Sequence, residues 1–297
     1  MRPVQFPWTC KSQVRVCLIP EISSRAHAPA VNRRYLNARF SAGLNANVKF
    51  RRLAVVGQRS SNNGGFLSCF GCKLHLQNVY IADNVAAGFG GAIQADTASN
   101  IVVMHSIFVN NECQNFGGAI DSWGDVQAVN STFMYNRAQM GGAISCCRGN
   151  RGGGGNHSFS QSSFVHNSAV EQAGGGLFIS KGTLVLRSSK VLRNQATEAG
   201  GGGVCADQGV LYVYDSTFQD NFAHAKGDTF SIERTNKWLI ANSRVSPSDE
   251  KSALQLKAST SFTCQTNPCE PGMQCRIKDL SRTCTLCKPG TASLRGE

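Results

Sequence analysis

Ser106-Ile107-Phe108-Val109-Asn110-Asn111, followed six residues later by Gly117-Gly118-Ala119-Ile120, returns as Ser131-Thr132-Phe133-Met134-Tyr135-Asn136 and Gly141-Gly142-Ala143-Ile144. The first phrase recurs as Ser162-x-Phe164-x-x-Asn167, Ser189-x-Val191-x-x-Asn194 and Ser216-x-Phe218-x-x-Asn221. A weaker copy, Val79-x-Ile81-x-x-Asn84, precedes the series and a decayed one, Ser243-x-Val245, ends it. The second phrase recurs as Gly90-Gly91-Ala92-Ile93, Gly175-Gly176-Leu177-Phe178 and Gly202-Gly203-Val204-Cys205. From apolar residue to apolar residue the steps are 27, 25, 31, 27, 27 and 27. A fixed period in the twenties marks a solenoid, and helical repeats need longer units of roughly 33 to 47 residues. No leucine lattice is present, so the unit is a coil of short strands separated by turns.

Side chains alternate along a strand, so Ser-x-Phe places both on one face, with Phe inward and Ser beside it. Asn three residues on falls at a corner, since Asn tolerates the left-handed backbone and its amide bonds backbone groups. Gly-Gly marks a second corner, where φ is positive or no Cβ fits. Stacked about 4.8 Å apart, such coils align Phe108, Phe133, Phe164 and Phe218 in an interior column, with Ile81 and Val191 filling it. Asn84, Asn111, Asn136, Asn167, Asn194 and Asn221 would form an amide ladder. The predicted fold is all-β: a parallel β-helix of about seven coils, on the order of 30 Å long.

Gly-Gly-Ala-Ile with Phe-x-x-Asn resembles the paired tetrapeptide signature of the polymorphic outer-membrane proteins. These are surface autotransporter adhesins whose passenger is a right-handed β-helix of the pectin-lyase-like kind. The resemblance covers roughly residues 64 to 245 and implies that fold and a surface role. That family's C-terminal membrane barrel has no counterpart here. Similar repeats occur in large proteins of algae and other protists, and the chain is read as a piece of such a protein.

The net charge of +12 is unevenly spread. Residues 1–82 carry 12 Lys and Arg against one acid, Glu21, and the remainder carries 18 against 17. The solenoid therefore reads as near neutral, without a basic stripe or a nucleic-acid motif, and nucleic acid is not an expected partner. Residues 1–62 read as a basic, disordered segment; an Arg-rich, acid-poor transit peptide is the other reading. Residues 63–258 are the β-helix. No apolar run is long enough to span a membrane as a helix.

Five of the 13 cysteines fall in residues 259–297. Cys284-x-x-Cys287-x-x-Gly290-Thr291-x-Ser293-x-x-Gly296 resembles the cysteine-rich repeats of ephrin-receptor and tumour-necrosis-factor-receptor ectodomains. Asn267-Pro268-Cys269-x-x-Gly272-x-x-Cys275 is similar to the start of an epidermal-growth-factor module. Either resemblance implies disulfides among Cys264, Cys269, Cys275, Cys284 and Cys287, since units this small need staples. The odd number implies continuation past Glu297. A zinc ribbon is the competing reading of the paired cysteines. Cys69-Phe70-Gly71-Cys72 has a redox-motif spacing without the βαβ context, so a local disulfide or a coil cap is expected. Cys205 falls in the Ile column as a buried apolar thiol. Asn130-Ser-Thr132 and Asn156-His-Ser158 are glycosylation sequons, the second beside a Gly-rich insert, Arg148 to His157, read as an exposed loop.

Enzymes on β-helices need acids set together: two carboxylates for hydrolysis, or a calcium cluster and a base for elimination. Aligned on Gly-Gly, the column one past the apolar residue reads Gln94, Asp121, Ser145, Ile179, Ala206, and no column has acids in consecutive coils. Asp96, Asp121 and Asp125 are the sole candidate cluster. The histidines share no metal-ligand spacing, and Gly152 to Gly155 lacks the Lys-Ser/Thr of a phosphate loop. Three expectations follow. The first is a non-catalytic, extracellular or cell-surface structural or adhesion module, needing no cofactor or metal, whose partner is a surface protein or glycan. The second is a polysaccharide lyase or hydrolase on the same fold. The third is a repeat fragment without independent function.

Overall fold

A computed structural model describes residues 39–146, 154–225, 227–234 and 237–246, and the backbone pairing of strands Val16–Ile19, Arg34–Leu36, Leu254–Leu256, Met273–Lys278 and Ser281–Leu286. The protein is a parallel β-helix. Its seven complete coils carry four strands each, and an eighth carries three. The coil around Phe108 is representative: Ile93–Ala95, Asn100–Met104, Ile107–Val109 and Glu112–Cys113. Equivalent strands of successive coils pair in parallel and build four sheets, called first to fourth in that order.

The interior is a set of apolar columns. Phe108, Phe133 and Phe164 stack face to face with centroids 4.9 and 5.1 Å apart. Ile81, Val191 and Phe218 continue that column, fully buried. The second sheet sends inward Leu74, Ile101, Val126, His157, Leu184, Leu211 and Trp238 as one column.

The six asparagines form a continuous buried ladder. Asn111 Nδ2 donates to Asn136 Oδ1 at 3.0 Å, and that same oxygen accepts the Asn111 backbone N–H at 3.0 Å. Asn136 Nδ2 donates on to Asn167 Oδ1 at 3.0 Å and back to the Phe108 carbonyl at 3.2 Å. Each amide thus meets its hydrogen-bonding needs inside the wall, where an unpaired polar group would cost about 1–3 kcal/mol.

Three local expectations are corrected. The motif asparagine does not take the left-handed backbone; its predecessor does, at Asp83, Asn110, Tyr135, His166, Arg193 and Asp220. The turn is made there so that the asparagine side chain points inward along the ladder. The motif serine is not beside the phenylalanine in a strand either. It follows a second left-handed residue, at His105, Asn130, Gln161, Ser188, Asp215 and Asn242. It forms its own ladder: the Ser106 N–H donates to Ser131 Oγ at 3.2 Å, and Ser106 Oγ donates to the Met104 carbonyl at 2.7 Å.

The third correction is one of register. Leu177 pairs with Ile144, and Val204 with Leu177. The positive-φ glycine always stands three residues before the inward apolar residue: Gly90, Gly117, Gly141, then Gly174 and Gly201. At Gly117, φ is +70° and a Cβ would lie 2.1 Å from the Ile120 carbonyl oxygen. Aligning on the last two glycines of each longer run therefore slips the later coils by one residue. Cys205 leaves the Ile column for the opposite face of the strand, where it is still buried, against Met140, Ala173 and Phe178.

The coils also begin earlier than the repeated phrases. Arg39–Ala42, Asn47–Arg51, Leu53–Val56 and Arg59–Ser60 form a complete first coil inside the segment read as disordered. Its inward residues Phe40, Val48 and Val55 are apolar, but it lacks the Gly-Gly, Ser, Phe and Asn signals. Upstream, Val16–Ile19 pairs antiparallel with Arg39–Ala42. Downstream, Leu254–Leu256 extends the first sheet, and Met273–Lys278 with Ser281–Leu286 forms a hairpin on the second.

Candidate functional site

The three aspartates of the candidate cluster have three separate surroundings. Asp96 accepts the Gly71 N–H at 2.8 Å and the Ser99 hydroxyl at 2.6 Å, holding the turn of the coil before it. Asp125 accepts the Asn156 N–H at 2.8 Å, holding the start of the coil after it. Asp121 is fully buried in a column with Gln94 and Ser145, behind the first sheet. Its carboxylate and burial together push the Cys113 thiol up to about 12, burial being the larger cause. That thiol donates to the Phe116 carbonyl at 3.1 Å. A thiol so held is protonated at neutral pH and a poor nucleophile.

The corrected register creates one carboxylate pair that the Gly-Gly alignment missed. Asp207 and Glu233 are direct neighbours on consecutive coils of the first sheet. Arg234 engages both oxygens of Asp207, at 2.9 and 2.5 Å. Two features concealed the pair: the run from Gly200 to Gly203 hid the register of Asp207, and the coil of Glu233 has no Gly-Gly phrase, only Gly227 followed by Asp228.

Cys69 and Cys72 are joined by a disulfide, buried at the turn between the first two strands of their coil. Cys146 is buried with its side chain in the core. Cys264, Cys269 and Cys287 lie outside the described residues. Cys275 and Cys284 face each other in the register of the C-terminal hairpin. Both sequon asparagines are exposed; Asn130 stands at a left-handed corner with Nδ2 3.0 Å from His105 Nδ1. The insert's end is not a loop: Asn156–Ser160 is a strand and His157 lies in the core. Desolvation lowers His157 to about 4, with Asp125 opposing. Among the described residues no three His, Cys, Asp or Glu side chains are grouped to hold a metal ion, and no helix is long and apolar enough to cross a membrane. A depression of about 480 Å³ on the fourth sheet is lined by Arg59, Val85 and Glu112 among others, with Glu112 ion-paired to Arg137 at 2.8 Å.

The outer face of the second sheet differs from the rest. The near neutrality read for the whole solenoid does not hold locally: residues 39–82 contain Arg39, Lys49, Arg51, Arg52, Arg59 and Lys73 and no acid. Lys49 pairs in register with His75, two residues along the strand from Lys73. Burial, then Lys49, Arg51 and Lys73, lower the His75 pKa. At the other end of this face the Arg187 guanidinium lies 4.4 Å above the Tyr214 ring and the Lys237 ammonium 5.8 Å from the Tyr212 ring centre. A hydrogen bond to Tyr212 raises the Lys237 pKa.

No protein-family model, curated protein or solved structure matches the chain. Its class is set by its own strand pairing, as a parallel β-solenoid of about seven turns.

Proposed function

We propose that the chain is a non-catalytic structural or adhesion module of an extracellular or cell-surface protein, a rod whose outer faces meet a surface protein or glycan. The observation that carries this reading is the use made of the acids. Asp96 and Asp125 each hold a backbone N–H of an adjacent coil, and Asp121 is fully buried. Two of the three thus serve as caps for neighbouring coils and the third is sealed from solvent. The Cys69–Cys72 disulfide supports an oxidising compartment.

The polysaccharide-enzyme reading has one feature in its favour, the Asp207–Glu233 neighbours with Arg234 beside them. Retaining hydrolysis uses carboxyls about 5 Å apart. Against it, the fork of Arg234 occupies both oxygens of Asp207 and would have to leave before a substrate could reach them.

The test is to incubate the purified chain with polygalacturonate and neutral glucans, and in parallel with cells or matrix. Binding without new reducing ends or unsaturated products is expected. Turnover abolished by Asp207→Asn with Glu233→Gln, or by Asp96→Asn with Asp125→Asn, would overturn the module reading.

A further inference from the structure

Coil stacking consumes the inward side chains of the second sheet and leaves most of its outward ones facing solvent. On the eight strands from Asn47–Arg51 to Lys237–Ala241 those outward positions include Lys49, Arg51, Lys73, Arg187 and Lys237. The one carboxylate among them is Asp125, engaged by the Asn156 N–H. Seven steps of about 4.8 Å separate the first strand from the eighth, so the face runs for roughly 34 Å along the solenoid.

We propose that this face binds a linear anionic polysaccharide laid across the strands, with its sulfate or carboxylate groups held by Lys49, Arg51 and Lys73 at one end and Arg187 and Lys237 at the other. The inference rests on the module reading above and names its partner.

Charge complementarity is the first argument. Along a strand, alternate side chains are about 6.7 Å apart, and between strands about 4.8 Å. Lys49, Arg51 and Lys73 therefore present a two-dimensional set of cations with no acid among them, which suits a repeating polyanion better than a single anion. His75 sits among them, and burial first, then Lys49, Arg51 and Lys73, hold it below its ordinary value.

The second argument separates a glycan from a nucleic acid. Single-stranded nucleic acids gain affinity by stacking bases on free aromatic faces. On this face Tyr212 and Tyr214 are the aromatic side chains among the outward positions, and Lys237 and Arg187 already lie over their rings. Duplex recognition needs a helix or ribbon that enters a groove, whereas the outward positions here lie on eight side-by-side strands of one sheet. What remains is recognition of the anionic groups themselves by cations pre-positioned on a rigid sheet.

The experiment uses the full chain and immobilised dextran sulfate, polygalacturonate and neutral dextran at 50 and 200 mM salt. The chain is expected to retain on one or both charged polymers and not on neutral dextran. Lys49→Gln/Arg51→Gln/Lys73→Gln changes three exposed side chains, so circular dichroism should be unaltered. Losing three ion contacts should flatten the salt dependence, which for three contacts amounts to roughly twentyfold to fortyfold over this range. Lys190→Gln/Arg193→Gln/Arg244→Gln, an equal charge change on the third sheet and the corner after it, should bind within about twofold of the unaltered chain.

Equal losses in the two triple variants would overturn the inference, because the polymer would then read net charge and not this face. Displacement of dextran sulfate by oligothymidylate at equal charge would overturn it too, as would no retention at all. In these three cases the module reading stands. Cleavage of the retained polymer would instead remove the module reading, and the inference with it.

Discussion

At the residue scale the apolar columns of this β-helix admit an ionisable residue at His157. His157 occupies a position filled in the other coils by Leu74, Ile101, Val126, Leu184, Leu211 and Trp238. Burial holds it near 4 against an ordinary 6.5. Its folded-state value is depressed, so the unfolded chain binds the proton more readily between those limits. The associated stability is complete above pH 6.5 and is lost as pH falls through about 4, amounting to about 3 kcal/mol at roughly 1.4 kcal/mol per unit. His75, half-exposed and lowered, acts in the same direction to a lesser degree. Urea midpoints measured at pH 7 and pH 4.5 should converge in His157→Leu relative to the unaltered chain. An unchanged acid slope would show that His157 is not what titrates. Neither the inward position nor the titration was legible in the sequence, because the glycine run from Gly152 to Gly155 made the whole insert read as a loop. The phenylalanine and asparagine columns were legible, because each recurs at a fixed offset and needs one residue type: a ring to stack, an amide to both donate and accept.

At the element scale, the coil is shaped by single residues in left-handed backbone. The strand ending at Met104 and the one beginning at Ile107 are separated only by His105, with φ of +49°, and Ser106. One such residue turns the chain without breaking the ladder on either side. Few side chains suit this geometry, and Asn is among the best. In this column the protein uses Asn78, Asn130 and Asn242, but also Gln161, with φ of +50°. Gln161→Asn should therefore raise stability by about 0.5 kcal/mol, whereas the β-branched Gln161→Val should cost about 1–2 kcal/mol. Thermal melts of the two variants check the order; a Val variant as stable as the Asn one would show that the corner is not strained. These corners explain what the repeats did not disclose. A left-handed site accepts Asp83, Tyr135 or Arg193 once neighbouring coils enforce it, so it leaves no residue-type signature. Three consecutive glycines erase the register for the opposite reason, since any of them could take the positive φ. The backbone chooses Gly174 and Gly201, and with that choice Asp207 and Glu233 become neighbours.

At the scale of the whole molecule a solenoid is close to one-dimensional, since each coil touches only the next, and stability is a sum of coil and interface contributions. The coils here are not equivalent in charge. In the first two, Lys49 lies about 7 Å along its strand from Arg51 and about 8 Å diagonally from Lys73, close to the screening length at physiological salt. Like charges on neighbouring strand positions destabilise a sheet by a few tenths of a kcal/mol per pair. The later coils balance their charges, as Arg234 does with Asp207 and Arg193 with Asp220. Raising salt should therefore stabilise the two ends unequally. Native-state hydrogen exchange is expected to slow for the amides of Asn47–Arg51 and Lys73–Gln77 between 20 and 500 mM salt, by about 0.5–1 kcal/mol in opening free energy. The amides of Thr183–Arg187 and Val210–Tyr214 should change by less than half as much. A polyanion held on the outer face should reproduce the effect at low salt, because a ligand that binds only folded coils stabilises those it touches. A uniform salt response along the rod would mean that the cations of the first coils are already too well hydrated to repel one another. The same cations would then have little to gain from a polyanion, so this exchange experiment bears on the binding inference through stability alone.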